Sequence, residues 1–234
     1  MKKFKAFPQL VFLLSLFLTL VLINTKTVSA SLTTSHYSND AVFKNYSTYY
    51  VAEGRAGGSG TFELDIHDKD SFNLTSTNYS WGDAASFRVN YSINGDKSTL
   101  NFDLDNKSLT YSWDDTPNLN QIFLRGRASK DDSFVTLKGL NLDGTSVGDT
   151  MSSSPDSGGL DILQISGLDL SSGFTLSGDT GLQIGDGSQS NPAFQIKLAS
   201  GAAPVPEPST WMLFAIGTLA MGYLVMRNKH RIRA

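Results

Sequence analysis

The residues of this chain best placed to do chemistry are its closely spaced acids. Asp65, Asp68 and Asp70 form one group, and Asp103, Asp105 and Asn106 another. Both collect the hard oxygen ligands that Ca2+ prefers, although neither has the twelve-residue loop and closing Glu of an EF-hand. A structural Ca2+ is thus the one cofactor suggested, and acidic strand ends and turns are the plainer account of the same residues. Trp81, beside Gly82 and Asp83, offers a flat ring that could stack on a sugar, whereas Trp113 alternates with Tyr111 and Leu109 and is expected in the core.

Nucleophilic catalysis needs a base beside its nucleophile. Of 3 histidines only His36 and His67 lie in the body of the chain, the first near the expected mature N-terminus and the second on the polar face of a strand. There is no Cys, and no His-Glu-x-x-His helix to hold zinc. So many acids always furnish some carboxylate pair, so such a pair does not single out a glycosidase, and Glu53 and Glu63 are the only glutamates before residue 207. The chain is expected not to be an enzyme.

The elements carrying these residues read as β. Apolar side chains alternate at period two, and the stretches between them are rich in Gly, Asn, Asp and Ser. In 61–67, Phe62, Leu64 and Ile66 face one way and Glu63, Asp65 and His67 the other. Phe87, Val89, Tyr91 and Ile93 share a face, Asn94-Gly95 supplies a two-residue hairpin loop, and Leu100, Phe102 and Leu104 share the next face. That loop sets Val89 opposite Leu100. A further turn at Asp105-Asn106 sets Phe102 opposite Leu109 and Leu100 opposite Tyr111, which makes a three-stranded meander. More strands are expected at 121–127, 134–140, 160–165, 174–177 and 193–198, with 144–159 a long surface loop. The sum is an all-β domain, an antiparallel β-sandwich or jelly roll, over 31–198, followed by a linker at 199–205.

Both ends are of another kind. Lys2, Lys3 and Lys5 precede 14 uncharged residues at 10–23, and Val28-Ser29-Ala30 follows, the order of parts in a secretory signal peptide over 1–30 cleaved after Ala30. Near the C-terminus stand Val205, Pro206, Glu207, Pro208, Ser209 and Thr210, then 16 uncharged residues at 211–226, then Arg227, Lys229, Arg231 and Arg233. As a helix the span is about 24 Å long, a little under the roughly 30 Å of a bilayer core. The basic end is held on the cytoplasmic side, so the body lies outside.

This arrangement resembles the C-terminal signal of PEP-CTERM proteins, Gram-negative surface proteins processed by membrane-embedded exosortases. The resemblance rests on VPEPST at 205–210, the apolar span and the Arg-rich tail, about 30 of the 234 residues. It implies that 206–234 is a sorting signal and that the chain is the substrate of an exosortase, reached through the secretory translocon and anchored for a time by 211–226. The body resembles the β-rich choice-of-anchor domains that recur before such signals, on WGDAASFRVNYS at 81–92 and SNPAFQIKLASG at 190–201.

Most cations sit in the two ends, and the stretch 31–206 carries 11 Lys or Arg against 21 acids, a net charge of −10. Such a field argues against nucleic acid as a partner. The absence of Cys leaves stability to burial alone. The expectation is an exported, non-enzymatic surface or extracellular-matrix protein of the biofilm-matrix kind. Its alternatives are a polysaccharide-binding module and a plain single-pass anchored protein. Asn45, Asn73, Asn78, Asn90 and Asn106 each begin an Asn-x-Ser/Thr sequence, where glycosylation would fall.

Overall fold

The computed structural model describes residues 32–56, 63–70, 74–82, 84–167, 169–185 and 192–201. Among these residues lie fourteen strands: β1 (Thr33–Tyr37), β2 (Ser47–Arg55), β3 (Leu64–Asp68), β4 (Thr75–Thr77), β5 (Ala85–Asn94), β6 (Lys97–Leu104), β7 (Lys107–Trp113), β8 (Gln121–Arg127), β9 (Phe134–Leu142), β10 (Thr145–Ser146), β11 (Met151–Ser153), β12 (Leu160–Ser166), β13 (Phe174–Gln183) and β14 (Ala193–Ser200). One sheet has the order β1-β12-β8-β14-β2-β3-β4. The other runs β10-β9-β13-β5-β6-β7, with β11 also paired to β9. Every pairing is antiparallel. The chain is a two-sheet β-sandwich, as its alternation implies. Among the described residues no helix is long and apolar enough to cross a membrane. The expected signal helix at 1–30 and membrane helix at 211–226, with Val28, Ala30 and all the sorting and basic residues, lie outside the described residues.

The core forms because each strand presents one apolar face. On β5, Ala85, Phe87, Val89 and Tyr91 point inward while Ser86 and Arg88 are exposed. Leu64 and Ile66 of β3, Leu100, Phe102 and Leu104 of β6, Ile122 and Leu124 of β8, and Phe194, Ile196 and Leu198 of β14 join them in one cluster between the sheets. Trp113 closes its margin, part-buried, with its ring stacked on Tyr50 at 4.0 Å.

The hairpin register is shifted from the sequence expectation. Asn94 pairs with Lys97, so Gly95 and Asp96 form the loop, and Val89 faces Phe102 rather than Leu100. Gly95 has φ +62°. The second turn falls where expected, with Phe102 opposite Leu109 and Leu100 opposite Tyr111. The stretch 144–159 is not the plain loop expected of it. It contains β10, β11 and a 3-10 turn at Pro155–Ser157, and Met151 is fully buried against the core.

The outer face of the first sheet is not left bare. A 3-10 turn at Asp40–Asn45 lays Val42 and Phe43 over Phe123, Ile162 and Ala199, with Phe43 and Tyr46 meeting Phe123 edge-on at 5.2 and 4.9 Å. This second cluster also corrects the linker boundary. Ala199 and Ser200, expected in the linker, belong to β14, and Asn120 clasps Gly201, its Nδ2 donating to the Gly201 carbonyl at 2.9 Å and its Oδ1 accepting the Gly201 N–H at 3.1 Å. A Cβ on Gly201 would stand 2.3 Å from the Tyr46 ring. The described body therefore reaches at least to Gly201.

Candidate functional site

Alternation along β3 divides the first group of acids. Asp65 and His67 point to the outer face of the sheet, and Asp68 to the other. Asp68 Oδ1 accepts the Asp70 N–H at 2.8 Å, its Oδ2 lies 3.4 Å from Trp113 Nε1, and Asp70 is exposed. The geometry thus does not gather Asp65, Asp68 and Asp70 around one point. Asp103 and Asp105 flank an open surface cavity of about 580 Å3 with Arg88, Lys107 and Asp179. Their oxygens serve the fold: Asp103 accepts from the Ser108 hydroxyl at 2.6 Å, and Asp105 accepts from the Ser86 N–H at 2.9 Å and the Tyr79 hydroxyl at 2.5 Å.

Trp81 is part-buried at the edge of the core, against Phe194 and Tyr79. Its Nε1 donates to the Arg55 carbonyl at 2.8 Å and to Glu63 Oε2 at 3.0 Å. Its remaining surface lines an open groove of about 400 Å3 with Phe134, Leu182, Gln183 and Ile184. Ile184, 46 % exposed, is the large apolar residue left open among the described residues.

His36 is not the loose terminal residue its position suggested. It lies in β1 opposite Leu163, with Nδ1 2.9 Å from Asp161 and Nε2 3.2 Å from Asp149. Both nitrogens face carboxylates, so neither faces a hydroxyl. Burial opposes the charged ring, but the hydrogen bonds to Asp161 and Asp149 outweigh it and raise the His36 pKa. No Gly-x-Ser-x-Gly elbow was expected, yet Gly144-Thr145-Ser146-Val147-Gly148 has that spacing. It starts in the tight turn after β9 and runs through β10, with no helix following, and Ser146 is exposed on β10.

Among the described residues, Glu53, Asp65 and His67 form a buried polar cluster whose ligand atoms all lie within 4.8 Å of one another. Glu53 on β2 stands directly opposite Asp65 on β3 and opposite Gln195 on β14. The three residues are only 3, 7 and 6 % exposed although they face away from the core. Arg55 donates to Glu53 Oε1 through Nε and Nη2, Gln195 Nε2 donates to Oε2 at 2.6 Å, and His67 Nε2 lies 3.7 Å from Oε2. Burial by itself would raise the Glu53 pKa, but hydrogen bonds from His67 and Gln195 and the Arg55 charge overcome it and hold the group at about 2. Asp65 goes the other way. Burial, reinforced by the charge of Glu53, lifts its pKa to about 6. Its Oδ1 is buried without a hydrogen-bond partner, a loss of about 1–3 kcal/mol for an ordinary buried polar group.

Of the acids singled out in the sequence, the structure brings Asp65 into this cluster. Glu53 and His67 were each noticed there, but nothing in the sequence joins them, because β2 and β3 are paired across a connection that only the fold reveals.

Beyond Gly201, the last described residue, the sequence carries the sorting motif. The family model of the PEP-CTERM protein-sorting motif matches residues 204–229. The motif supports the reading of the chain as an exported surface protein targeted to an exosortase. No curated protein matches the chain.

Proposed function

We propose that this chain is a non-enzymatic structural component of the cell surface or extracellular matrix, sorted through Pro206, Glu207 and Pro208 and released from its temporary anchor by an exosortase. The observation that carries the reading is one of spacing. The last described residue of the sandwich, Gly201, is held by Asn120, and the match to the sorting motif begins at 204. Only residues 202 and 203 separate the last described residue of the sandwich from the matched motif. Both ring nitrogens of His36 engaged by carboxylates support a non-catalytic body, and the choice-of-anchor resemblance points the same way. The three sorting residues would be recognised and would catalyse nothing. Replacing 206–208 by Ala-Ala-Ala is expected to leave a full-length, membrane-bound form in cells that process the parent, as seen on immunoblots of membrane and medium fractions. A variant processed like the parent would overturn the reading.

A further inference from the structure

We propose that Glu53, Asp65 and His67 form a binding site for a divalent transition metal ion, with Zn2+ as the reference ion, on the outer face of the first sheet. Three independent features converge on this. Glu53 and Asp65 are direct cross-strand partners. Like charges so placed destabilise a strand pair, and this pair is also withdrawn from water; a cation between them removes both penalties. Asp65, 7 % exposed, leaves Oδ1 buried with no hydrogen-bond partner, whereas Glu53 is already held by Arg55 and Gln195. A buried carboxylate oxygen of this kind is a vacant ligand position.

The imidazole supplies the third feature. His67 Nδ1 lies 2.9 Å from the Asp68 carbonyl. A carbonyl can only accept, so Nδ1 carries the hydrogen and Nε2 is the nitrogen presented toward Glu53. Metal-binding histidines are oriented in this way, the outer nitrogen donating to a backbone carbonyl and the inner one facing the ion. Gln195 plays the matching part for Glu53, donating to Oε2 at 2.6 Å.

The donor set selects the ion. One imidazole and two carboxylates without thiolate suit first-row divalent ions such as Zn2+, Co2+ or Mn2+. Ca2+ takes 6 to 8 oxygens and gains little from an imidazole, a requirement this closed cluster does not meet. Bond lengths near 2.0–2.2 Å place ligand atoms roughly 3.4 Å apart in a tetrahedron, a contraction from the 4.8 Å limit that side-chain torsions can supply. Three protein ligands leave a fourth position for water. An ion bound through an imidazole nitrogen competes with protons for it.

The test uses the full-length chain, purified in detergent without a polyhistidine tag. Titration calorimetry with Zn2+ at pH 7.5 is expected to show one site per chain with proton release, and Co2+ to produce visible absorption that Zn2+ abolishes. Asp65→Asn and His67→Gln each keep the side-chain size, and each is expected to weaken Zn2+ binding by about 100-fold or more, with a cooperative unfolding transition showing that each variant is folded. The proposal is overturned if the parent binds neither Zn2+ nor Co2+, or if both variants bind as the parent does. Ca2+ binding that is lost in Asp65→Asn but unchanged in His67→Gln would also overturn it, in favour of an oxygen-only site.

Discussion

Phe194→Ala is expected to destabilise the body by about 3–5 kcal/mol. Phe194 is fully buried on β14, near the middle of its sheet, and its ring meets Trp81, Phe87 and Phe102 at centroid distances of 6.0, 6.4 and 6.2 Å. It also fills the space that Gly54 leaves on β2. A Cβ there would come within 2.5 Å of the ring. Truncation would open a cavity where both sheets meet, and strands from each line it, so no single element can collapse into the gap. The loss compares with a total of about 5–15 kcal/mol for an ordinary domain. With no cysteine in the chain, no disulfide offsets the loss. Urea denaturation followed by tryptophan fluorescence would measure it. A loss below about 1 kcal/mol would show that the two sheets do not depend on this ring.

The second large effect has the opposite sign. In chelator at pH 7.5, Asp65→Asn is expected to stabilise the protein by about 2 kcal/mol. The folded pKa of Asp65 is about 6, against an ordinary 3.8, because burial and the Glu53 charge disfavour ionisation, with His67 and Arg55 only partly compensating. Between those two values the native state binds more protons than the unfolded chain, so stability declines as pH rises through the window and the whole penalty is present above about pH 6. Each pKa unit corresponds to about 1.4 kcal/mol. The charged groups facing Asp65 are Glu53 and Arg55 on β2 and His67 on its own strand, with Lys197 on β14 farther along the same face. Glu53, held at about 2, works in the reverse direction, its stabilisation being lost only on acidification below its ordinary 4.5. The advantage of the variant over the parent should therefore be absent near pH 4, grow to pH 6 and then stay constant. Denaturation across this range, without metal, would show it; an Asn variant less stable than the parent at pH 7.5 would contradict it. A position where the natural residue costs stability is where selection for something other than folding is expected.

The sandwich was legible because most of its strands bury one face and expose the other. The strands at 121–127, 134–142, 160–166 and 193–200 begin where alternation put them. The hairpin register was harder. The expected and observed pairings differ by two residues, and a two-residue slip keeps every side chain on its face, so the hydrophobic pattern could not choose between them. Turn geometry chose, by putting the positive φ of Gly95 at the first loop position. β2 went unread because Tyr50, Val51 and Ala52 are all buried in succession and Glu53 is buried beyond them, which destroys the alternation. Met151 was hidden among serines. The Glu53, Asp65 and His67 cluster depends on the pairing of β2 with β3, and a sequence carries no direct record of that pairing. The sorting signal is the reverse case: its order of parts is linear, and a linear reading found it.

The body and the tail thus do separate work. The described sandwich reaches Gly201, and the sorting motif matches 204–229. The most direct measurement of this account is the intact mass of the mature protein recovered from the surface or medium of cells that make it. The account predicts a chain that begins at Ser31 and has lost 211–234, ending within or just after the 205–210 segment. A mature protein that still carries its apolar span and ends at Ala234 would contradict it.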